Sequence, residues 1–131
     1  MPWTRTLDRF TDAELLATFR RDRQHLMIKP NLLYGGIGIV PGWECTADQW
    51  AAALAGAARY GAVVQRRVIP RREPAVDPDT GRLEDWQSAW GLFVTPGGYA
   101  GAYARLLRAG TSSVISVSAH KDTRIAGVFT V

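Results

Sequence analysis

Two helical segments with capping signals at their starts, about six or seven strand-like stretches, and hairpin chemistry over the last fifty residues predict an α+β domain. In it a mostly antiparallel sheet carries both helices on one face, within a single domain spanning residues 1–131. Thr11-Asp12-Ala13-Glu14 reads as a capping box, in which the threonine oxygen accepts a main-chain N–H and the glutamate reaches back. Leu15, Leu16 and Phe19 follow at helical spacing, and Arg20, Arg21 and Arg23 gather at the far end, where cations complement the dipole. A helix is expected over residues 12–22. A second box stands at Thr46-Ala47-Asp48-Gln49, with Trp50, Leu54 and Ala58 recurring every four residues, so 47–59 reads as a helix with a thin alanine face. Gly56 weakens that helix and Gly61 ends it.

The strands are read from β-branched runs and their punctuation. His25 to Lys29 is an apolar strand stopped by Pro30, residues 31–38 form a loop, and Ile37 to Val40 begins a second strand. Ala62 to Ile69 is a strand with a polar centre. Pro70 to Gly81 holds three prolines, two aspartates and a glycine, which reads as a surface loop rather than a linker, because too little chain follows for a second core. Glu84 to Val94 and Tyr99 to Leu107 flank Thr95-Pro96-Gly97-Gly98 and predict a hairpin. Ser113 to Ser118 alternates with period two, and Ile125 to Val131 reads as the last strand.

Composition narrows the function classes. Apolar residues make up 47% and charged residues 21% of the chain, ordinary values that argue against a disordered or fibrous protein. No apolar run approaches the roughly 18 residues of a membrane helix, and no hydrophobic stretch follows Met1 to Arg5 as a secretory leader would require. Cys45 is the one cysteine, so no internal disulfide is expected and a cytoplasmic, reducing setting fits. With His25 and His120 the only histidines, a zinc site would have to recruit carboxylates. The formal charge of +4 comes from arginine, since Lys29 and Lys121 are the only lysines. The arginines are scattered in pairs and no basic run reaches five residues, which argues against nucleic acid as the main partner. Their forks suit the phosphates of small nucleotides as well.

The most informative stretch runs from Ile28 to Ile39: a lysine at the end of an apolar strand, a glycine-rich turn, then apolar residues again. Gly35, Gly36 and Gly38 let main-chain N–H groups approach an anion with no Cβ in the way. A strand lysine is costly to bury unless it meets a phosphate or carboxylate. The turn is neither a P-loop, which ends in Gly-Lys-Ser/Thr, nor a dinucleotide-binding turn, which leads into a helix.

Lys-Pro-Asn-x-x-Tyr-Gly-Gly-x-Gly at 29–38, Val-Val-Gln-Arg-Arg-Val at 63–68 and Gly-Gly-Tyr-Ala-Gly-Ala-Tyr-Ala-Arg-Leu at 97–106 occur in order with a helix between the first two. Together with Pro2-Trp3-Thr4-Arg5 this pattern resembles the C-terminal portion of the circularly permuted ATP-grasp family. The resemblance implies an ATP-grasp α+β domain and an ATP-dependent ligase that joins a carboxylate to an amine through an acyl-phosphate, usually with magnesium. It implies that Lys29 touches the nucleotide phosphates or adenine edge, and that Gly35, Gly36 and Gly38 form a flap. Gln65, Arg66, Arg67 and Val68 fall on the strand that lines the adenine pocket. Arg105 matches an arginine able to hold a terminal phosphate and counts as the catalytic candidate, its other reading being a solvated strand residue. Asp85 is the one acidic residue placed to serve as a magnesium ligand.

The pattern departs from the family at Ile37, where a cation is common in the loop, at Arg66, where glutamate is usual, and at Ser116, where asparagine is common. Because the resemblance covers only the C-terminal portion, it implies a second polypeptide or a homo-oligomer that completes the fold. The alternative expectation is a non-catalytic ATP-grasp-like protein, serving as a partner-binding or regulatory subunit.

Overall fold

The computed structural model describes residues 2–127. The α+β class is as expected, with eight strands divided between two antiparallel four-stranded sheets. Where one domain is expected, the chain divides into two compact units, Met1–Val68 and Ile69–Val131. In the second unit Trp86, Ala104 and Leu107 are buried.

The first unit contains β1 (Thr4–Leu7), α1 (Ala13–Arg21), β2 (Leu26–Pro30), β3 (Val40–Pro41), α2 (Ala47–Tyr60) and β4 (Ala62–Arg66). Its sheet runs β1-β4-β2-β3. Register decides which side chains go inward. Ile28 sits opposite Val64, and Leu7 opposite Ala62. These residues, with Leu26, are buried against Phe19 of α1 and Trp50 and Leu54 of α2. Both helices therefore cover one face. The core is closed by a hydrogen bond as well as by area: Trp50 Nε1 donates to the Phe19 carbonyl at 2.9 Å in full burial.

Several local expectations are corrected here. Asp12, not Thr11, caps α1, its carboxylate accepting from the Leu15 N–H at 2.8 Å. Thr11 instead accepts the Asp8 N–H, one turn earlier, because an aspartate one residue on reaches the same orphan donors. The box at Thr46 and Gln49 has both of its reciprocal bonds. Of residues 2–5, read only as a motif, Thr4 and Arg5 begin strand β1. The strand expected from Ile37 is just Val40–Pro41, since residues 35–38 turn on positive-φ glycines. The strand expected over 62–69 stops at Arg66, where β2 runs out as a partner.

The second unit is a meander of β5 (Arg72–Val76), β6 (Leu83–Thr95), β7 (Gly98–Arg108) and β8 (Arg124–Gly127). The expected 70–81 loop is thus partly strand. Pro74 sits on β5 at the sheet edge, where a residue without an N–H is tolerated. The turn that follows is organised by Asp77, whose buried carboxylate accepts the N–H groups of Asp79 and Thr80 and pairs with Arg108. Gly91 has no Cβ because the Tyr103 ring fills that space, stacked on Phe93 with centroids 5.7 Å apart.

Residues 113–118 are not the expected strand. The Ser116 carbonyl accepts from the Ala119 and His120 N–H groups and from the Thr123 hydroxyl, so this segment satisfies itself in a turn. Of the last expected strand, residues 128–131 lie outside the described residues. Among the described residues no helix is long and apolar enough to cross a membrane.

Trp50→Phe removes the donor but leaves the Phe19 carbonyl buried, and should cost about 1–3 kcal/mol. Trp50→Ala should cost about 3–5 kcal/mol. Urea titrations of the full chain, followed by circular dichroism, measure both.

Candidate functional site

The face of the first sheet opposite the helices carries the polar side chains. Alternation that turns Leu26 and Ile28 inward turns Met27 and Lys29 outward, and in β4 Val63 and Gln65 go with them. Lys29 Nζ donates to Gln65 Oε1 at 2.5 Å, and Gln65 Nε2 donates to Thr4 Oγ1 at 3.0 Å. Three strands thus contribute one hydrogen-bonded row. Thr4 belongs to the Pro2 to Arg5 motif, but sequence reasoning gave it no role, although threonines at 4 and 6, on alternate positions of a short run, were its signal. Lys29 is half-buried, and that burial holds its ammonium below the ordinary lysine pKa. Its hydrogen-bond partner is a neutral amide, which supplies no counter-charge.

The remaining expected nucleotide contacts are only partly gathered. Arg66 ends β4 with its side chain exposed, and its N–H is held by the Trp3 carbonyl at 2.8 Å. The Arg67 N–H is held by the His25 carbonyl at 2.7 Å, and its guanidinium lies 4.1 Å from the centroid of the Trp43 ring. Val68 is exposed. The main-chain N–H groups of Arg66 and Arg67 are therefore already engaged within the protein. Gly35, Gly36 and Gly38 all have positive φ, as the turn requires. The loop N–H groups of Ile37 and Ile39 bond to the Tyr34 and Gly36 carbonyls. Leu32, Leu33 and Gly38 line an apolar cavity of about 420 Å³ with Ala53, Ala57 and Ala62, on the helix side of the sheet. A Cβ at position 38 would lie 2.7 Å from Leu33 Cδ1.

Arg105 and Asp85 belong to the second unit. Arg105 lies on β7 with its Nε buried and without a hydrogen-bond partner, a donor in want of an acceptor. Its guanidinium is 5.8 Å from the Tyr103 ring centroid, a neighbour that alternation along β7 puts on the same face. Asp85 is exposed on β6, and among the described residues no three histidine, cysteine, aspartate or glutamate side chains converge to hold a metal. Magnesium is usually held by one or two carboxylates plus substrate phosphates. One solitary exposed carboxylate does not fit a protein-built magnesium site.

A comparison with protein-family models gives no match, and a comparison with curated proteins gives none either.

The depressed Lys29 pKa has a signed consequence. Between the folded value and the ordinary 10.5, the unfolded chain binds the proton more readily than the folded one, so this lysine's contribution to stability rises with pH. Below the folded value the cost of the buried ammonium is present in full. Urea midpoints of the native chain and Lys29→Met, taken from neutral pH towards 10.5, should therefore converge if Met is the more stable at neutral pH, or diverge in favour of the native chain. A difference that moves the opposite way refutes the assignment.

Proposed function

We propose that the chain is the ATP-binding part of an ATP-dependent carboxylate–amine ligase of the ATP-grasp type, with adenine nucleotide laid on the open face of the first unit's sheet. The observation that carries this reading is Lys29. Its half-buried ammonium, paired only with an amide oxygen, is penalised by desolvation, and a phosphate oxyanion would relieve that penalty. The order of the blocks at 29–38, 63–68 and 97–106 gives the class of nucleotide and of reaction, by resemblance alone.

In this reading Lys29 meets phosphate or the adenine edge, with Gln65 setting its position. Gly35, Gly36 and Gly38 supply the flap, and residues 65–68 border the base. Arg105, with its unfilled Nε–H, is an oxyanion donor suited to charge that develops in phosphoryl transfer. A second polypeptide or a second copy completes the fold, in a cytoplasmic setting.

A second reading is favoured by Arg66 in place of the family's glutamate and by the lone carboxylate of Asp85: nucleotide binding without turnover, in a regulatory or partner-binding subunit.

Titration calorimetry of the full chain with ATP, with and without magnesium, tests the common core of both readings. Lys29→Ala should weaken binding at least about tenfold, as loss of a charge-assisted contact does. Equal binding by the native chain and Lys29→Ala, or none by either, overturns the proposal. Phosphate release on addition of mixed carboxylates and amines separates the ligase from the non-catalytic form.

A further inference from the structure

The sheet of the second unit ends unevenly. β5 pairs with β6 only over Leu83–Gln87, and β8 pairs with β7 only over Tyr103–Leu106. β6 and β7 pair with each other much further, out to Thr95 and Gly98. Among the described residues, 88–102 therefore form a ribbon of two strands with no third strand on either side. Such a ribbon alone is marginally stable in water, and a long apolar edge on it is a template for another strand.

The ladder decides which main-chain groups are on offer. The Ala109 N–H donates to the Asp85 carbonyl at 2.9 Å, so the main-chain groups of Asp85 face β7. Pro74, which has no N–H to give, lies opposite Asp85 on β5 and agrees with that assignment. Alternation then turns the N–H and C=O groups of Trp90 and Leu92 away from β7, past the end of β5, where the described residues offer them no partner. The edge is also unguarded. No proline interrupts β6, and no charged residue stands between Asp85 and Arg105. Trp90 is 54% exposed and Leu92 67%. The free edge of β7 is a poorer template, because Gly98 and Gly101 have positive φ and the register shifts at Phe93 and Val94.

Charge and symmetry select the occupant. With a formal net charge of +4 on each chain, two copies repel each other, but along this strip they meet with no charge at all. An antiparallel edge is its own complement about a two-fold axis, since each outward donor finds the other copy's outward acceptor. We infer that two copies of this chain pair β6 to β6, antiparallel about a two-fold axis at Gly91, as a dimer. At that register Trp90 and Leu92 exchange main-chain hydrogen bonds with Leu92 and Trp90 of the partner subunit, and each Trp90 ring lies beside an apolar side chain directly across. Two ribbons become one four-stranded sheet, and closure about the axis stops growth at two copies. The inference uses strands of the second unit alone and involves no nucleotide, so it stands or falls apart from the ligase reading.

Sedimentation equilibrium of the full chain, from micromolar to millimolar concentration, reads the assembly. The mean mass should rise from 14.4 kDa towards twice that value and stop there. Amide exchange followed by NMR should slow at Trp90 and Leu92 as the dimer fills. Leu92→Lys brings two ammonium groups together near the axis and should weaken dimerisation at least about tenfold, with the native circular dichroism spectrum kept. If that variant loses the spectrum, amide exchange in the native chain decides alone. A monomer at millimolar concentration overturns the inference, as does growth beyond two copies. So does a dimer whose Trp90 and Leu92 amides exchange at the same rate as in the monomer, or a folded Leu92→Lys that dimerises as tightly as the native chain.

Discussion

The pairing of β2 with β4 is the constraint from which the first unit follows. Ile28 lies opposite Val64 and Lys29 opposite Val63, so each strand sends one set of side chains under the helices and the other set to the open face. Because the side-chain period of a strand is two, a slip of one residue would bury Lys29 and Gln65 under Trp50 and expose Ile28 and Val64. That state strips water from an ammonium without supplying an anion and surrenders the apolar contact that holds α1 and α2. The same register that fills the core therefore aligns the polar row from Lys29 through Gln65 to Thr4. Core and candidate site are two faces of one pairing.

The second unit is anchored differently. Few of its large side chains are buried, and much of the far half of β6 is exposed, including Trp90, Leu92, Phe93 and Val94. What fixes it is polar: Asp77 is almost fully buried, holds its own turn through two N–H groups and meets the Arg108 guanidinium, which also takes Glu84. A buried carboxylate is tolerable only with its lone pairs met by donors, and here a turn and a guanidinium meet them. This polar closure ties the end of β7 to the β5–β6 turn.

Much of this was legible in the sequence wherever the signal was local. The reciprocal cap at Thr46 and Gln49, the helix carrying Trp50 and Leu54, and the hairpin around Thr95 to Gly98 each follow from short-range chemistry. The strand readings failed where pairing decides. Residues 113–118 read as alternating, yet Val114 and Ile115 stand side by side, and the Ser116 carbonyl collects local donors instead. Pro74 argues against a strand until its place at the sheet edge is known. The candidate site shows the same division: the motif picked out Lys29 and Gln65, whereas Thr4 joins them only through the β1–β4 register.

The glycine segment sharpens what nucleotide binding would require of the first unit. Its apolar residues Leu32 and Leu33 and its Gly38 line the helix-side cavity, whose room comes from the small residues Ala53, Gly56 and Ala57 on α2. Lys29 projects from the other side of the sheet. For the loop amides to serve a phosphate beside Lys29, the loop must leave that cavity and give up the bonds made by the Ile37 and Ile39 N–H groups. Ile37 offers no charge to draw it across, unlike a cation at that position. On the nucleotide reading, the first hold on phosphate then falls to Lys29 and the neighbouring end of β4, and the loop follows. The order of events is set by where the positive charge sits: a single ammonium fixed by Gln65 can attract a polyanion before any backbone moves, whereas turning glycines whose neighbours are apolar cannot.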